Sequence, residues 1–260
     1  MDYMASAPDR IDRMPRGGPN ASCLDRFLET SRLEYLDRDS GGDPVNEARR
    51  RSVIRALDRT GDLFGNHERF AHIALDVVAD VPDPRILELG AGHGKLSAKL
   101  VEMHPTAHVT VTDVDEHSVA AIAAGFAADP GNDQRVTVQP MDATDIGADD
   151  GAYDLAVFAL SFHHLPPTLA SRVIAEGTRV ADKLLIIDLP RPPSPLHLVR
   201  LATMLPFAPF VPFVHDGVIS SLRCYSPSAL RALAAHADPA ISVELRGGLA
   251  SPQVVVASRR

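Results

Sequence analysis

Residues 86–95 read Ile86-Leu87-Glu88-Leu89-Gly90-Ala91-Gly92-His93-Gly94-Lys95, an apolar run that breaks into three glycines at alternate positions. Glycine weakens regular structure but tolerates a sharp turn or a crowded approach, so three together mark a place where the backbone must do one or the other. A strand that ends in such a turn and opens a helix offers bare backbone amides and a helix N-terminus to a ligand. Something nucleotide-like is implied.

Two phosphate-binding readings fit this turn poorly. The dinucleotide fingerprint needs a sixth-position glycine where Lys95 stands, and a Walker A loop needs a Ser or Thr hydroxyl where Leu96 follows Gly94-Lys95. Glu88, one residue inside the strand, suits a cationic ligand better than a pyrophosphate.

Outward from the turn, short apolar runs at His108–Thr112, Val136–Val138, Tyr153–Phe158 and Leu184–Asp188 alternate with helical stretches at Lys95–Met103, Ser118–Ala128 and Thr168–Ala181. Strand alternating with helix predicts a parallel α/β sheet, whose strands are buried on both faces and therefore read as continuous apolar runs. The last two strands, Ile241–Leu245 and Gln253–Ala257, have no helix between them, which permits only antiparallel pairing. The expected fold is a doubly wound, Rossmann-like mixed sheet with an antiparallel C-terminal hairpin.

Helical spacing at Asn46–Leu57 and Asn66–Ala79 predicts helices ahead of the sheet, with Asn66 as a cap. Residues 1–45 read as a flexible leader and 46–260 as one domain, with N-terminal helices over 46–80 and a lid insertion over 190–225 before the last helix. The insertion is too long for an ordinary connection. Its phenylalanines Phe207, Phe210 and Phe213 alternate with proline, and read as the lid's own core ahead of the wall of an apolar acceptor pocket; the segment serves equally as a lid or as a homodimer surface.

Composition sets the outer limits. The formal net charge of -8 argues against nucleic acid as a partner. Cys23 and Cys224 stand far apart with no metal spacing around them, which favours a reduced, cytoplasmic chain, although one disulfide between them is compatible with the sequence. No run of about 18 apolar residues predicts stable membrane insertion. The start of the chain mixes charge with Pro and Gly, unlike a signal peptide.

The stretch Glu88-Leu89-Gly90-Ala91-Gly92-His93-Gly94 resembles the first motif of the class I S-adenosylmethionine-dependent methyltransferases, an acidic residue and a spacer before GxGxG. The resemblance implies S-adenosyl-L-methionine as cofactor, with Gly90, Ala91 and Gly92 packing on its methionine portion and Glu88 near its amino group, directly or through water. Asp113, at the end of Val109–Asp113, matches the family's ribose-binding carboxylate, with Val114 beside it; Asp115 reads as a helix cap. Asp142, followed by Ala143, matches the carboxylate that accepts from the adenine amino group, and Tyr153–Leu165, including Ala159, resembles the central strand and the loop facing cofactor and substrate. Within the class, the pattern FHHL, LLIIDLPRP, HDGVISSLR and YSPSALRAL resembles bacterial small-molecule methyltransferases with a type 11/12-like domain.

Methyl transfer from a sulfonium needs the nucleophile aligned and, for a poor nucleophile, deprotonated. His163, His164 and His215 are the candidate bases, His215 with Asp216 as a carboxylate neighbour, and structural hydrogen bonding is the competing role for each. Metal is not expected, because His163 and His164 are adjacent rather than on one helix face. The reaction expected is methylation of a small organic acceptor at oxygen, aromatic or of secondary-metabolite type. Rivals are a methyltransferase-like binding module without turnover and a nucleotide-dependent oxidoreductase, the latter disfavoured by Lys95 and the terminal hairpin.

Overall fold

The computed structural model describes residues 11–37, 43–128, 135–247 and 251–259. In chain order its elements are α1 (Cys23–Phe27), α2 (Pro44–Leu63), α3 (Asn66–Val77), β1 (Arg85–Leu89), α4 (Lys95–Met103), β2 (His108–Asp113), α5 (Glu116–Ala127), β3 (Val136–Pro140) and β4 (Tyr153–Ala159). They continue with α6 (Pro167–Val180), β5 (Ala181–Asp188), α7 (Ser194–Met204), α8 (Pro212–Arg223), α9 (Pro227–Ala237), β6 (Ile241–Arg246) and β7 (Gln253–Arg259). A 3-10 turn over Phe162–His164 joins β4 to α6.

The seven strands lie in the order β3-β2-β1-β4-β5-β7-β6. Strands β1 to β5 are parallel, and β7 runs antiparallel between β5 and β6, so the expected α/β mixed sheet and its terminal hairpin are both present. The order reverses between β1 and β4, and in an open α/β sheet ligands bind outside the carboxyl ends of the strands at such a switch point.

Each central strand feeds two cores. Leu87 and Leu89 of β1, Ala156 and Phe158 of β4, and Leu184 and Ile186 of β5 face the layer under α6 and α9. Their alternates Ile86, Leu155, Val157, Leu185 and Ile187 face the layer under α3, α4 and α5. Alternation by two along a strand divides the side chains this way, and burying each of the Leu, Ile, Val and Phe side chains is worth about 1.5–3 kcal/mol.

Local chemistry starts and stops the helices. Asp115 caps α5 by accepting from the His117 and Ser118 amides, as its position after β2 suggests. Prolines sit in the first turn of α6, α7, α8 and α9, where a missing amide costs nothing; several of the insertion's prolines thus start helices rather than break them. Helix α3 begins at Asn66, but its cap is Gly65, whose φ of 60° makes the tight turn out of α2 that a capping Asn66 would not.

Two expectations need correction. Of residues 1–45, assigned to a flexible leader, 1–10 and 38–42 lie outside the described residues, and 11–37 instead pack on the domain: Ile11 joins the core beside α6 and α9, and Leu28 joins a small cluster with Leu201 and Val218 of the insertion. Of the three phenylalanines read as a lid core, Phe207 and Phe210 are 59% and 83% exposed, and only Phe213 is half-buried. Helices α7 and α8 pack on Leu28 through Leu201 and Val218, and the phenylalanine-bearing turn between them stays on the surface.

Candidate active site

The parallel strands bring their carboxyl ends to one edge of the sheet, and most of the predicted site residues lie there. Gly90, Gly92 and Gly94 all have positive φ. At Gly92 (φ 58°) a Cβ would meet nothing within 4 Å, so the bare backbone faces open space. At Gly94 a Cβ would come within 2.9 Å of Ile122 in α5, so this glycine seats α4 against its neighbour. One glycine makes room and another makes contact.

Asp113 ends β2 with its carboxylate over the turn: Oδ2 accepts from the Gly92 amide at 2.8 Å and Oδ1 from the Asp115 amide at 2.9 Å. Each oxygen keeps a further lone pair for a hydroxyl. Val114 beside it is 73% exposed, an apolar side chain presented to solvent. Asp142 is exposed and folds into a turn of its own, Oδ1 accepting from the amide and hydroxyl of Thr144 at 2.8 Å, while Oδ2 has no partner among the described residues. Ala91, Ala143 and Ala159 are half-buried around this edge.

Glu88 lies deeper than its motif position suggests. Its side chain is 3% exposed beneath the turn, hydrogen-bonded to the Ser97 hydroxyl of α4. Burial raises its pKa to about 7, against the opposing hydrogen bonds from Ser97. Lys95, in the position where a phosphate-binding loop would use it, turns away instead and pairs with Asp58 and Asp62 of α2 at 3.2 Å.

After β4 the chain turns through Leu160, the one non-glycine residue with positive φ among the described residues (59°), held by its amide on the Ile187 carbonyl at 2.7 Å. Such a backbone costs on the order of 1 kcal/mol and persists where its surroundings fix it. The turn delivers the histidine pair. The His163 amide and Nδ1 both bond the Asp188 carboxylate at the end of β5, at 2.8 and 2.7 Å. His164 Nδ1 lies 2.6 Å from Asp37 Oδ1.

The N-terminal segment crosses directly over these rings. Glu34, 2% exposed, sets one carboxylate oxygen 3.6 Å from His163 Nε2 and the other 3.8 Å from His164 Nε2. Burial alone would lower the pKa of His163, but Asp188 and then Glu34 outweigh it and raise it to about 9. His215 of α8 stacks on Tyr35 at 4.4 Å, and its Nδ1 lies 2.8 Å from Asp216, whose carboxylate also accepts from the Tyr35 amide at 3.0 Å. All three predicted histidines thus meet under residues 34–37.

Residues absent from the sequence reading hold this arrangement together. Arg191 is buried with its guanidinium on four carbonyls, those of Leu222, Cys224, Asp25 and Leu28, at 2.8–3.2 Å. Arg223 reaches Asp37 and the His164 carbonyl, and Arg16 reaches the His163 carbonyl while lying 4.2 Å above the Tyr225 ring. Ser220 hydrogen-bonds Glu34 at 2.7 Å. Most of these contacts span more than a hundred positions of chain, and no local spacing announces them.

Comparison with known proteins agrees with this geometry. Residues 86–183 match the family model described as a methyltransferase domain. Residues 86–183 are a class I S-adenosylmethionine-dependent methyltransferase domain. Among curated relatives of this methyltransferase domain, a demethylmenaquinone methyltransferase of Clavibacter sepedonicus is 29% identical over 147 residues, 55% of this chain and 58% of that protein. A malonyl-[acyl-carrier protein] O-methyltransferase of Geobacter sulfurreducens is 34% identical over 100 residues, 38% of this chain and 35% of that protein. The matches therefore span less than two thirds of either relative.

Solved structures share the fold. The magnesium protoporphyrin IX methyltransferase of Synechocystis PCC 6803, determined with bound SAH, superposes with a TM-score of 0.53 at 17% identity, covering 87% of this chain and 91% of that one. A protein of Methanococcus maripaludis gives 0.57 at 18% identity, covering 79% and 91%. No helix among the described residues is long and apolar enough to cross a membrane.

Proposed function

We propose that the protein binds S-adenosyl-L-methionine at the carboxyl edge of β1 to β4 and transfers its methyl group to an oxygen of a small organic acceptor. The observation that carries the reading is the run of groups along that edge: the open backbone at Gly92, then Asp113, exposed Val114 and Asp142 with an unengaged oxygen, in the order a nucleoside lying across the switch point requires. These residues fit the cofactor. When bound, it supplies an electrophilic methyl group on a sulfonium.

The chain's own residues then have separable tasks. Asp113 accepts from the ribose hydroxyls, Asp142 Oδ2 from the adenine amino group, and Val114 offers the base an apolar side; Ala91, Ala143 and Ala159 line the approach. Glu88, protonated near neutrality by its burial, carries its negative charge readily once a cation lies close, which suits an ammonium.

For the base, His215 fits best. Its Nδ1 is oriented by Asp216, its ring is propped on Tyr35, and it is the more open of the three to an acceptor, whereas His163 is sealed between Asp188 and Glu34. Its Nε2 would take the proton from an acceptor hydroxyl. The named relatives act on a demethylmenaquinone and on a malonyl carrier protein; the second, like this proposal, is an O-methyltransferase. A reduced, cytoplasmic setting agrees with Cys23 and Cys224 both being free thiols, and the exposed turn carrying Phe207 and Phe210 is the surface on which a homodimer would form.

Calorimetric titration with S-adenosylmethionine, S-adenosylhomocysteine and NADH tests the cofactor. Binding of both sulfur ligands without NADH supports the reading, and binding of NADH alone overturns it in favour of the oxidoreductase. An acceptor screen with labelled methyl donor follows; tight cofactor binding with no transfer to any hydroxylated acceptor would leave a binding module.

A further inference from the structure

Glu34, His163 and His164 come from two distant stretches of chain, yet their donor atoms lie within 4.8 Å of one another. His163 Nε2 is buried and without a hydrogen-bond partner, facing Glu34 Oε1 at 3.6 Å. His164 Nε2 faces the other oxygen of the same carboxylate at 3.8 Å. A buried polar atom left unpaired costs free energy, so its persistence at the centre of a converging set needs an explanation.

We propose that Glu34, His163 and His164 form a divalent transition-metal site, with zinc the best-fitting ion, that fastens the N-terminal segment across the turn after β4.

The second layer of contacts is what metal-binding imidazoles require. A ligating histidine engages its other ring nitrogen with a carboxylate or carbonyl, which fixes the tautomer and aims the free nitrogen. Here Asp188 holds His163 Nδ1 at 2.7 Å, Asp37 holds His164 Nδ1 at 2.6 Å, and Ser220 holds the Glu34 carboxylate at 2.7 Å. Each of the three donors thus has its own orienting partner. Two histidines and a carboxylate suit zinc or iron(II), and a tetrahedral ion with bonds of about 2.0–2.1 Å wants neighbouring donors about 3.3 Å apart. The two nitrogen–oxygen separations, 3.6 and 3.8 Å, stand a few tenths of an ångström above this, and the whole donor set lies within 4.8 Å.

Charge points the same way. Four carboxylates crowd this region, Glu34, Asp37, Asp188 and Asp216, against the guanidiniums of Arg223 and Arg16. A divalent cation that takes the place of the His163 proton offsets the remainder. The 21% exposure of the His164 side chain leaves an entry path, and three protein ligands leave a fourth position for an exchangeable one. The alternative grouping of His163, Asp188 and Cys224 is weaker, because Asp188 is already spent on His163 and Leu189, and the Cys224 thiol on the Ser220 carbonyl. Adjacent histidines alone gave no reason to expect a metal; Glu34 supplies it.

The test uses the full chain after treatment with a chelator, titrated with zinc chloride by calorimetry and with cobalt(II) by visible absorption. The expected result is uptake of one equivalent, with the intense ligand-field bands of a four- or five-coordinate cobalt ion, and affinity weakened at least about tenfold in Glu34→Gln and in His164→Gln. Should Glu34→Gln lose cooperative unfolding, Asp37→Asn tests the same site through the orientation of His164, with a loss of about tenfold expected. Absence of stoichiometric uptake by the unsubstituted chain, or unchanged affinity in the variants that fold, overturns the proposal. None of these readouts depends on methyl transfer.

Discussion

The carboxyl edge of β1 to β4 and the region under residues 34–37 are built by different rules. Along the edge, Asp113, Asp115 and Asp142 each act within a few residues of the strand or helix end that carries them, bonding amides two or three positions away or the neighbouring glycine turn. Under residues 34–37, Glu34, Asp37, Arg191 and Arg223 act on partners more than a hundred residues distant, or on two distant segments at once. The first region can be changed one residue at a time, because backbone geometry supports it. The second is held by buried charges that share partners, and it should fail as a unit.

Arg191→Ala should break that contrast hardest. Its guanidinium serves the carbonyls at the end of α1, Asp25 and Leu28, together with Leu222 and Cys224 at the end of α8, where helices leave carbonyls without partners. Removing it strands four acceptors, two of them in fully buried bonds, and frees the N-terminal segment from the insertion. A loss of about 3–5 kcal/mol is expected in chemical denaturation, with protease sensitivity appearing first before residue 37. A loss below about 1 kcal/mol would mean the segment is held by other contacts.

Glu88 lies beneath the glycine turn, where burial raises its pKa. Its folded pKa of about 7 stands above the ordinary 4.5, so the folded protein binds the extra proton and stability falls as pH climbs through that window. The full effect is about 3 kcal/mol, reached once pH passes the folded value. Glu88→Gln should flatten the dependence between about pH 5 and about pH 8 in equilibrium unfolding. A slope that survives the substitution would assign it to another group.

Legibility followed the same division. The alternating pattern of strands and helices predicted the sheet, because parallel strands buried on both faces are apolar throughout, and the short link between β6 and β7 predicted their antiparallel pairing. Strand-end carboxylates are visible at fixed offsets from a glycine turn. The fastening of residues 11–37 was not visible: Ile11, Leu28 and Glu34 lie in a stretch rich in charge, proline and glycine, and their burial depends on the surfaces that α6 and α9 present to Ile11 and that α7 and α8 present to Leu28 and Glu34. The same ignorance put Phe207 and Phe210 in a core. An amphipathic insertion declares that it buries one face, but not against what.

Asp113→Ala should separate affinity from stability. Its carboxylate caps the Gly92 and Asp115 amides, so folding loses about 1 kcal/mol, whereas two ribose hydroxyls lose a charged acceptor at about 1.5–3 kcal/mol for hydrogen bonds to an ionised group. S-adenosylhomocysteine affinity should drop by at least about tenfold in calorimetry while unfolding remains cooperative. Unchanged affinity would remove Asp113 from the site.

The smallest effect is expected at Lys95, and its smallness is the point. The ammonium pairs with Asp58 and Asp62 at 3.2 Å on a partly exposed surface, where such pairs contribute about 0–1 kcal/mol. Lys95→Ala should therefore cost stability within that range, most of it at low salt, by loosening α2 from α4. Cofactor affinity should not change, since the side chain leads away from the turn. A large loss of affinity would instead mean that the lysine swings to an anionic group when ligand is present, and would revive the phosphate-binding reading that Glu88 and Leu96 argue against.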